Sequence, residues 1–171
     1  MDKRVIIEKV IEKDLDEFFK VFSGLIQSEM LEYSERTRKY FYTNNRAINK
    51  KVLKRKLGEG NIVLSATLKK KIVGILIADR PFGGISICHW LAVDRQFQMM
   101  GIGRSLLLGW EKISKDDGAH GLRLETDKRN IDFYKKMGFS LIGLDKRGEF
   151  GTDNYVMKKL IQTPKEENFL K

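Results

Sequence analysis

The chain has 171 residues, of which 42% are hydrophobic and 33% are charged, and its formal net charge is +10. This length predicts one domain that buries its own core, and the single cysteine, Cys88, excludes an internal disulfide. No apolar run approaches the roughly 20 residues of a membrane span, and the N-terminus lacks a secretory signal pattern. We therefore expect a cytoplasmic protein with no membrane partner and, from the positive charge, an anionic ligand.

The N-terminal part of the chain predicts a short strand followed by an amphipathic helix. Val5–Lys9 is typical of a strand. Asp14 and Glu17 have the spacing of a capping box, which predicts that Asp14 is the N-cap of the next helix. Apolar residues then recur at helical spacing from Leu15 to Met30, which predicts about four turns.

A basic segment follows this helix. Glu32–Leu57 predicts further helix, in two pieces broken near Asn44 and Asn45. From Arg36 to Leu57 the chain has nine lysines or arginines and no acidic residue. A solvated helical face is the favoured interpretation. A single-stranded RNA site is left open, because basic side chains interleave with Tyr40, Phe41 and Tyr42.

From Gly58 onward the pattern changes to β-branched runs with glycine-rich turns. Strands are predicted at Ile62–Leu68, Ile72–Ala78, Ile85–Val93, Gly121–Thr126, Ser140–Leu144 and Asn154–Leu160, and helices at Arg104–Asp117 and Asn130–Met137. The order predicts an α/β fold whose central sheet of about seven strands is mixed, mostly antiparallel and covered by helices on both faces. We expect one domain over residues 1–160 and a polar, frayed tail over 161–171.

A glycine-containing loop joins the predicted central strand to a helix. Gly101 and Gly103 lie between Val93 and Arg104. The first N–H groups of a helix have no partner within it, and glycine lets a ligand approach the backbone, so a phosphate fits there. The loop lacks the Gly-Lys-Ser/Thr of a P-loop, and Leu106 stands where the dinucleotide fingerprint needs its third glycine.

Two motifs instead resemble the GNAT superfamily of acetyl-CoA-dependent N-acetyltransferases. Gln98-x-x-Gly101-x-Gly103 resembles the pyrophosphate loop of that family. Further on, Phe133-Tyr134-Lys135-Lys136-Met137-Gly138-Phe139 resembles its second signature, Phe-Tyr-x-Lys-x-Gly-Phe. One departure is Asn130, where the family often has alanine; asparagine there could cap a short helix or narrow the groove for the pantetheine arm.

The resemblance implies the GNAT fold, with strands four and five splayed and acetyl-CoA as the cofactor between them. Backbone groups near Leu91 and Val93 would pair with the pantetheine amides, and the pyrophosphate would lie on the glycine loop. The residues that the resemblance assigns to cofactor binding are Leu91, Ala92, Val93, Gln98, Met99, Met100, Gly101, Ile102, Gly103, Arg104, Ser105, Asn130, Phe133, Tyr134 and Lys136.

The resemblance also suggests catalytic residues. Tyr134 lies where the family has its general acid; as an alternative it is a core aromatic, although we expect Phe133 to take that place. Glu125 and His89 are candidate bases, with a solvated carboxylate, a structural histidine or a water as the alternatives. Cys88 is expected in the core and His120 in a surface turn. No histidine and cysteine spacing predicts a metal site.

We therefore expect transfer of an acetyl group to a primary amine of a small molecule or peptide, by direct attack in a ternary complex. Two alternatives are a non-catalytic acyl-CoA-binding module and an RNA- or ribosome-associated acetyltransferase that uses residues 36–57. A nucleic-acid partner is not favoured. The acceptor is left open, as is the choice between a monomer and a homodimer.

Overall fold

The structure is a computed structural model that describes residues 4–44 and 48–170. The chain divides into two compact units. The first comprises the chain up to Ile77 together with Trp90–Trp110, and the second comprises Ala78–His89 together with Glu111–Lys171. Within the described residues, no helix is long and apolar enough to cross a membrane.

The strands form one seven-stranded mixed sheet in the order β1-β2-β3-β4-β5-β7-β6. The strands are β1 (Ile6–Lys9), β2 (Ile62–Leu68), β3 (Lys71–Ala78), β4 (Ile85–Val93), β5 (Gly121–Thr126), β6 (Ser140–Asp145) and β7 (Asn154–Leu160). β4 pairs with β5 in parallel, whereas β1–β2, β5–β7 and β6–β7 are antiparallel. The predicted strand count and mixed sheet are confirmed.

Six helices accompany the sheet in the described residues: α1 (Leu15–Glu29), α2 (Glu35–Thr43), α3 (Lys50–Gly58), α4 (Ile102–Asp116), α5 (Ile131–Lys136) and α6 (Glu166–Phe169). The predicted break in the basic segment is confirmed at Asn44, which ends α2, while Asn45 lies outside the described residues. α2 begins later than predicted, because the hydroxyl of Ser34 accepts from the Thr37 N–H and caps the helix there.

Asp14 is the N-cap residue of α1, as predicted, but the predicted capping box with Glu17 is wrong. A short 3-10 helix over Glu12–Asp14 precedes α1, so Asp14 already has helical backbone angles and its side chain makes no N-cap bond. Its carboxylate instead accepts from the Ile11 N–H at 3.3 Å. The sequence pattern did place a carboxylate at the start of the helix. That carboxylate accepts from the backbone three residues before it, whereas a capping box would have it accept from the helix that follows.

The core of the first unit lies against the apolar face of α1. Phe18, Phe22 and Ile26 are fully buried there, as the helical spacing predicts. Trp90 of β4 packs edge-on against two rings, with its centroid 5.6 Å from that of Phe22 and 4.9 Å from that of Phe41. This core fixes the C-terminal half of β4, from which the glycine loop follows.

The C-terminal tail of the second unit makes specific contacts. Phe169 of α6 packs on the His120 ring at 5.5 Å, and Gln162 donates a 2.7 Å hydrogen bond to the Ala119 carbonyl. These contacts of an aromatic and an amide side chain within a mostly polar segment were not predicted, and fraying of the tail stays a prediction. His120 is not a simple surface residue, since its Nδ1 is buried and has no hydrogen-bond partner.

Candidate active site

The glycine loop, residues 98–104, begins after a tightly held turn at the end of β4. The Asp94 N–H donates to the Val73 carbonyl at 2.9 Å, and the Asp94 carboxylate accepts from the Gln96 N–H at 2.9 Å. A 3-10 helix over Arg95–Phe97 follows. The loop therefore leaves β4 along a fixed path before α4 begins at Ile102, two residues earlier than predicted.

The backbone of the glycine loop is open at the start of α4. Gly101 has φ +78°, and a Cβ placed there would have no atom within 4 Å. Met99 also has a positive φ of 62°, and Met99 and Met100 both expose their side chains. Because the first N–H groups of the 15-residue α4 lack partners within the helix, this segment fits the phosphates of a nucleotide cofactor.

Two side chains assigned to phosphate binding take different positions. Arg104 is exposed on the first turn of α4, where its charge suits an anion. The Ser105 hydroxyl donates to the Gly101 carbonyl at 3.2 Å, and the Ser105 N–H donates to the same carbonyl at 3.0 Å. Ser105 thus closes the loop onto the helix. Ile102 is buried and anchors the helix, while Gly103 is half-buried.

The Gln98 side chain contacts other protein groups. Its Nε2 donates to the Val93 carbonyl at 3.0 Å and to the Glu29 carboxylate at 3.1 Å. Both N–H bonds of the amide are therefore used within the first unit. The Val93 carbonyl, expected to pair with pantetheine, already accepts one of these hydrogen bonds; Leu91 is half-buried and Ala92 is buried beside it.

The parallel ladder between β4 and β5 is short. It runs from Ile85 and Gly121 to Cys88 and Leu124, whereas β4 continues to Val93 and β5 to Thr126. Cys88 and Leu124 are buried, as expected for Cys88, while the next residues, His89 and Glu125, are exposed. This end of the ladder matches the predicted splay of strands four and five.

Tyr134 lies on the buried side of the second unit. It is 7% exposed and Phe133 is 37% exposed, so the expectation that Phe133 takes the core position is wrong: α5 turns its neighbour inward, between Phe133 and Phe139. Burial raises the pKa of the Tyr134 phenol well above its usual value, and Cys88 and Asp127 raise it further, whereas a hydrogen bond with Thr126 lowers it. Tyr134 is thus a protonated donor.

The two candidate bases differ in their partners. His89 Nε2 lies 2.6 Å from the Asp79 carboxylate, and Asp79 is itself held by its N–H bond to the Ile87 carbonyl at 2.8 Å. A histidine oriented by a carboxylate is a common arrangement for a general base. Glu125 is an exposed carboxylate on β5.

Strand geometry places the acid and base candidates on opposite faces. Side chains alternate along a strand, so Thr126 shares a face with Leu124 and with its register partner Cys88. Tyr134 interacts with Thr126 and Cys88, and therefore lies on that face. His89 and Glu125 point to the other face. The second unit therefore has a candidate hydrogen-bond donor on one side of the ladder end and candidate proton acceptors on the other.

Asn130 does not cap α5. Its backbone has helical angles, and its side chain makes no cap bond; its Nδ2 instead donates to the Asp127 carboxylate at 3.2 Å. Asp127 caps the preceding 3-10 turn by accepting from the Arg129 N–H at 2.7 Å. Lys136 is exposed at the end of α5.

Sequence reasoning missed Glu29, Asp79, Thr126 and Asp127. Asp127 and Arg129 carry a local signal, since an aspartate that accepts from the N–H two residues on is a common turn residue. Glu29 and Asp79 carry none, because their contacts with Gln98 and His89 depend on tertiary structure. Across the described residues, no cluster of histidine, cysteine or acidic side chains is suited to a metal ion.

Some basic side chains of this segment contact neighbouring protein groups. Lys50 contacts Asp16, Lys54 lies 2.5 Å from Glu12, and Arg38 donates to the Tyr33 carbonyl at 2.5 Å. Of its interleaved aromatics, Phe41 is buried and Tyr40 and Tyr42 pack against the core. These contacts favour the interpretation of the basic segment as a solvated helical face and do not favour a nucleic-acid site.

The comparisons agree with this fold. The structure is similar to the PaiA N-acetyltransferase of Thermoplasma acidophilum in complex with coenzyme A (TM-score 0.77, 22% identity, 92% of this chain and 99% of that one). It is also similar to the Escherichia coli ribosomal-protein-S18-alanine N-acetyltransferase (TM-score 0.69, 19% identity, 95% of this chain and 97% of that one). A third similar structure is an aminoglycoside 6'-N-acetyltransferase complexed with coenzyme A (TM-score 0.72, 16% identity, 94% of this chain and 99% of that one).

At these identities the structural likeness shows the fold, and the sequence match covers about half of the chain. The acetyltransferase (GNAT) domain family matches residues 59–141, a segment that contains the glycine loop and Tyr134. The chain is therefore similar to the GNAT acetyltransferases both in the sequence of residues 59–141 and in its fold.

Proposed function

We propose that this enzyme transfers the acetyl group of acetyl-CoA to a primary amine by direct attack. The observation that carries the proposal is the open backbone of the glycine loop, where Gly101 has a positive φ and free space at the N-terminus of α4. The residues that would hold the phosphates are the loop's backbone N–H groups and Arg104. Acetyl-CoA supplies the activated thioester.

The residues of the second unit support the proton transfers. The amine must lose a proton before it attacks the thioester carbonyl carbon, and His89, oriented by Asp79, is the base that the contacts favour. The new C–N bond forms as the C–S bond breaks, and the sulfur then needs a hydrogen-bond donor. Tyr134 supplies that donor.

The position of these groups on opposite faces suits a single displacement. The amine adds to the thioester carbonyl carbon and the thiolate is then expelled from the tetrahedral intermediate, so the base acts at the nitrogen and the donor at the sulfur, which are different atoms of that intermediate. Because the pKa of Tyr134 is raised, we expect the phenol to stabilise the departing thiolate chiefly by donating a hydrogen bond. Full proton transfer to a thiolate is then uphill.

Calorimetry with a glycine-loop variant tests the cofactor site. Gly103→Glu places a carboxylate at the start of α4, where the phosphates would bind, so acetyl-CoA binding should be lost while the protein stays folded. Gly58→Glu is the matched control, since Gly58 is exposed at the end of another helix, α3, with open space around it. Unchanged affinity in folded Gly103→Glu contradicts the proposed site.

A panel of acceptors tests the reaction. Release of free thiol from acetyl-CoA should depend on an added amine, and polyamines, amino acids, aminoglycosides and peptide N-termini cover the main acceptor classes. Binding of acetyl-CoA without turnover of any amine would support the alternative of an acyl-CoA-binding module.

A further inference from the structure

The contact between Glu29 and Gln98 joins the end of α1 to the glycine loop, across 69 residues of sequence. Glu29 is the last residue of α1, and no basic residue lies in that turn. A carboxylate at the negative end of a helix is electrostatically unfavourable. The position of Glu29 therefore needs compensating contacts, and the structure provides two of them.

Both carboxylate oxygens of Glu29 accept hydrogen bonds. Oε1 accepts from the Ser28 hydroxyl at 3.0 Å, and Oε2 accepts from the Gln98 amide at 3.1 Å. The same Gln98 nitrogen donates to the Val93 carbonyl at 3.0 Å. Gln98 is thus bound on one side to the last residue of β4 and on the other to α1.

This arrangement leaves the Gln98 amide with no N–H for a phosphate. The Gln98 N–H groups are therefore held by protein groups alone. Gln98 directly precedes Met99, which is the first loop residue with a positive φ. Backbone conformations with positive φ at non-glycine residues are unfavourable and persist where the surroundings hold them. The two hydrogen bonds of Gln98 are suited to that task.

We propose that Glu29 is a positioning residue for the cofactor loop and acts through Gln98. It fixes the loop conformation in which the backbone N–H groups of residues 101–104 bind phosphate. This inference rests on the proposed function. It assigns Gln98 the role of holding the loop, in place of the direct cofactor contact that its motif position implies.

A double-mutant cycle measured by calorimetry with acetyl-CoA tests the role. Glu29→Leu should weaken binding by about three- to tenfold, in line with the loss of one partly exposed charged hydrogen bond. Gln98→Leu should weaken binding by at least as much, because it also removes the hydrogen bond to the Val93 carbonyl. The double variant should bind no more weakly than Gln98→Leu alone. Glu29→Gln retains an acceptor oxygen and should stay close to wild type, and kcat at saturating acetyl-CoA should be unchanged in Glu29→Leu.

Glu17→Leu is the matched control, because Glu17 is an exposed carboxylate on the same helix. If Glu29 acts only through its charge, Glu29→Leu and Glu29→Gln will both tighten binding of the anionic cofactor, which overturns the positioning role. Multiplicative losses in the double variant also overturn it. A wild-type protein that does not bind acetyl-CoA overturns the proposed function itself, so the two failures are distinguishable.

Discussion

At the scale of single residues, Tyr134 shows how burial defines a chemical role. Burial raises the pKa of its phenol above the ordinary value, which already keeps a tyrosine protonated near neutral pH, so the side chain acts as a hydrogen-bond donor. Tyr134→Phe removes the hydroxyl and keeps the ring between Phe133 and Phe139. We expect kcat to fall by at least about tenfold, because the departing thiolate loses its hydrogen-bond donor. Acetyl-CoA affinity should be nearly unchanged. Turnover equal to wild type with a true acceptor would remove Tyr134 from the mechanism.

His89 and Glu125 are distinguished by the pH profile. His89→Gln should lower kcat/KM by at least about tenfold near pH 7, and the defect should shrink as pH rises toward an amine pKa of about 10.4, where the acceptor deprotonates unaided. Asp79→Asn should give a smaller defect of the same form, since it only orients the ring. Glu125→Gln should resemble wild type. The reverse pattern would make Glu125 the base.

At the scale of elements, α5 depends on the glycine that ends it. Gly138 has φ +87°, and a Cβ there would lie 3.2 Å from the Lys159 side chain. Gly138→Ala should lower the free energy of unfolding by about 1–2 kcal/mol, the cost of a left-handed conformation for a residue with a Cβ, as measured by urea denaturation. Gly58→Ala is the control: Gly58 lies in α3 with open space around it, so a neutral or slightly stabilising change is expected.

Element types were predictable, but several helix ends were not. The strands followed from β-branched runs, and α1 from its apolar spacing, because these signals extend over many residues. The caps at Asp14 and Asn130 were assigned to the wrong contacts, since a single hydrogen bond decides between a 3-10 turn and an α-helical start. Likewise, the choice between Phe133 and Tyr134 as the buried ring depends on the rotation of one short helix.

At the scale of the whole molecule, the net charge of +10 raises the question of nucleic acid. Basic side chains of α2 and α3 are partly paired with Asp16, Glu12 and the Tyr33 carbonyl. We therefore expect only weak binding of single-stranded RNA in gel-shift assays at physiological salt. Submicromolar binding with a steep salt dependence would instead support a nucleic-acid-bound acceptor.

The fold as a whole was predictable because two motifs lie on the expected strand, loop and helix. What the sequence could not supply is the set of contacts made by distant residues, such as Glu29 with Gln98 and Asp79 with His89. The packing of Phe169 on His120 is of the same kind. Each depends on where the backbone brings two side chains, and no local spacing encodes that.

The exposed methionines of the glycine loop have a consequence for oxidation chemistry. Of the six methionines of the chain, Met157 is buried and Met30 and Met137 are partly covered, whereas Met99 and Met100 present their thioethers to solvent. Among these described methionines, peroxide should therefore form sulfoxides first at these two positions, placing polar oxygens beside the opening of α4. Peroxide-treated enzyme is then expected to lose cofactor affinity before it loses its fold, and the two methionine sulfoxide reductases, one for each sulfoxide epimer, to restore it.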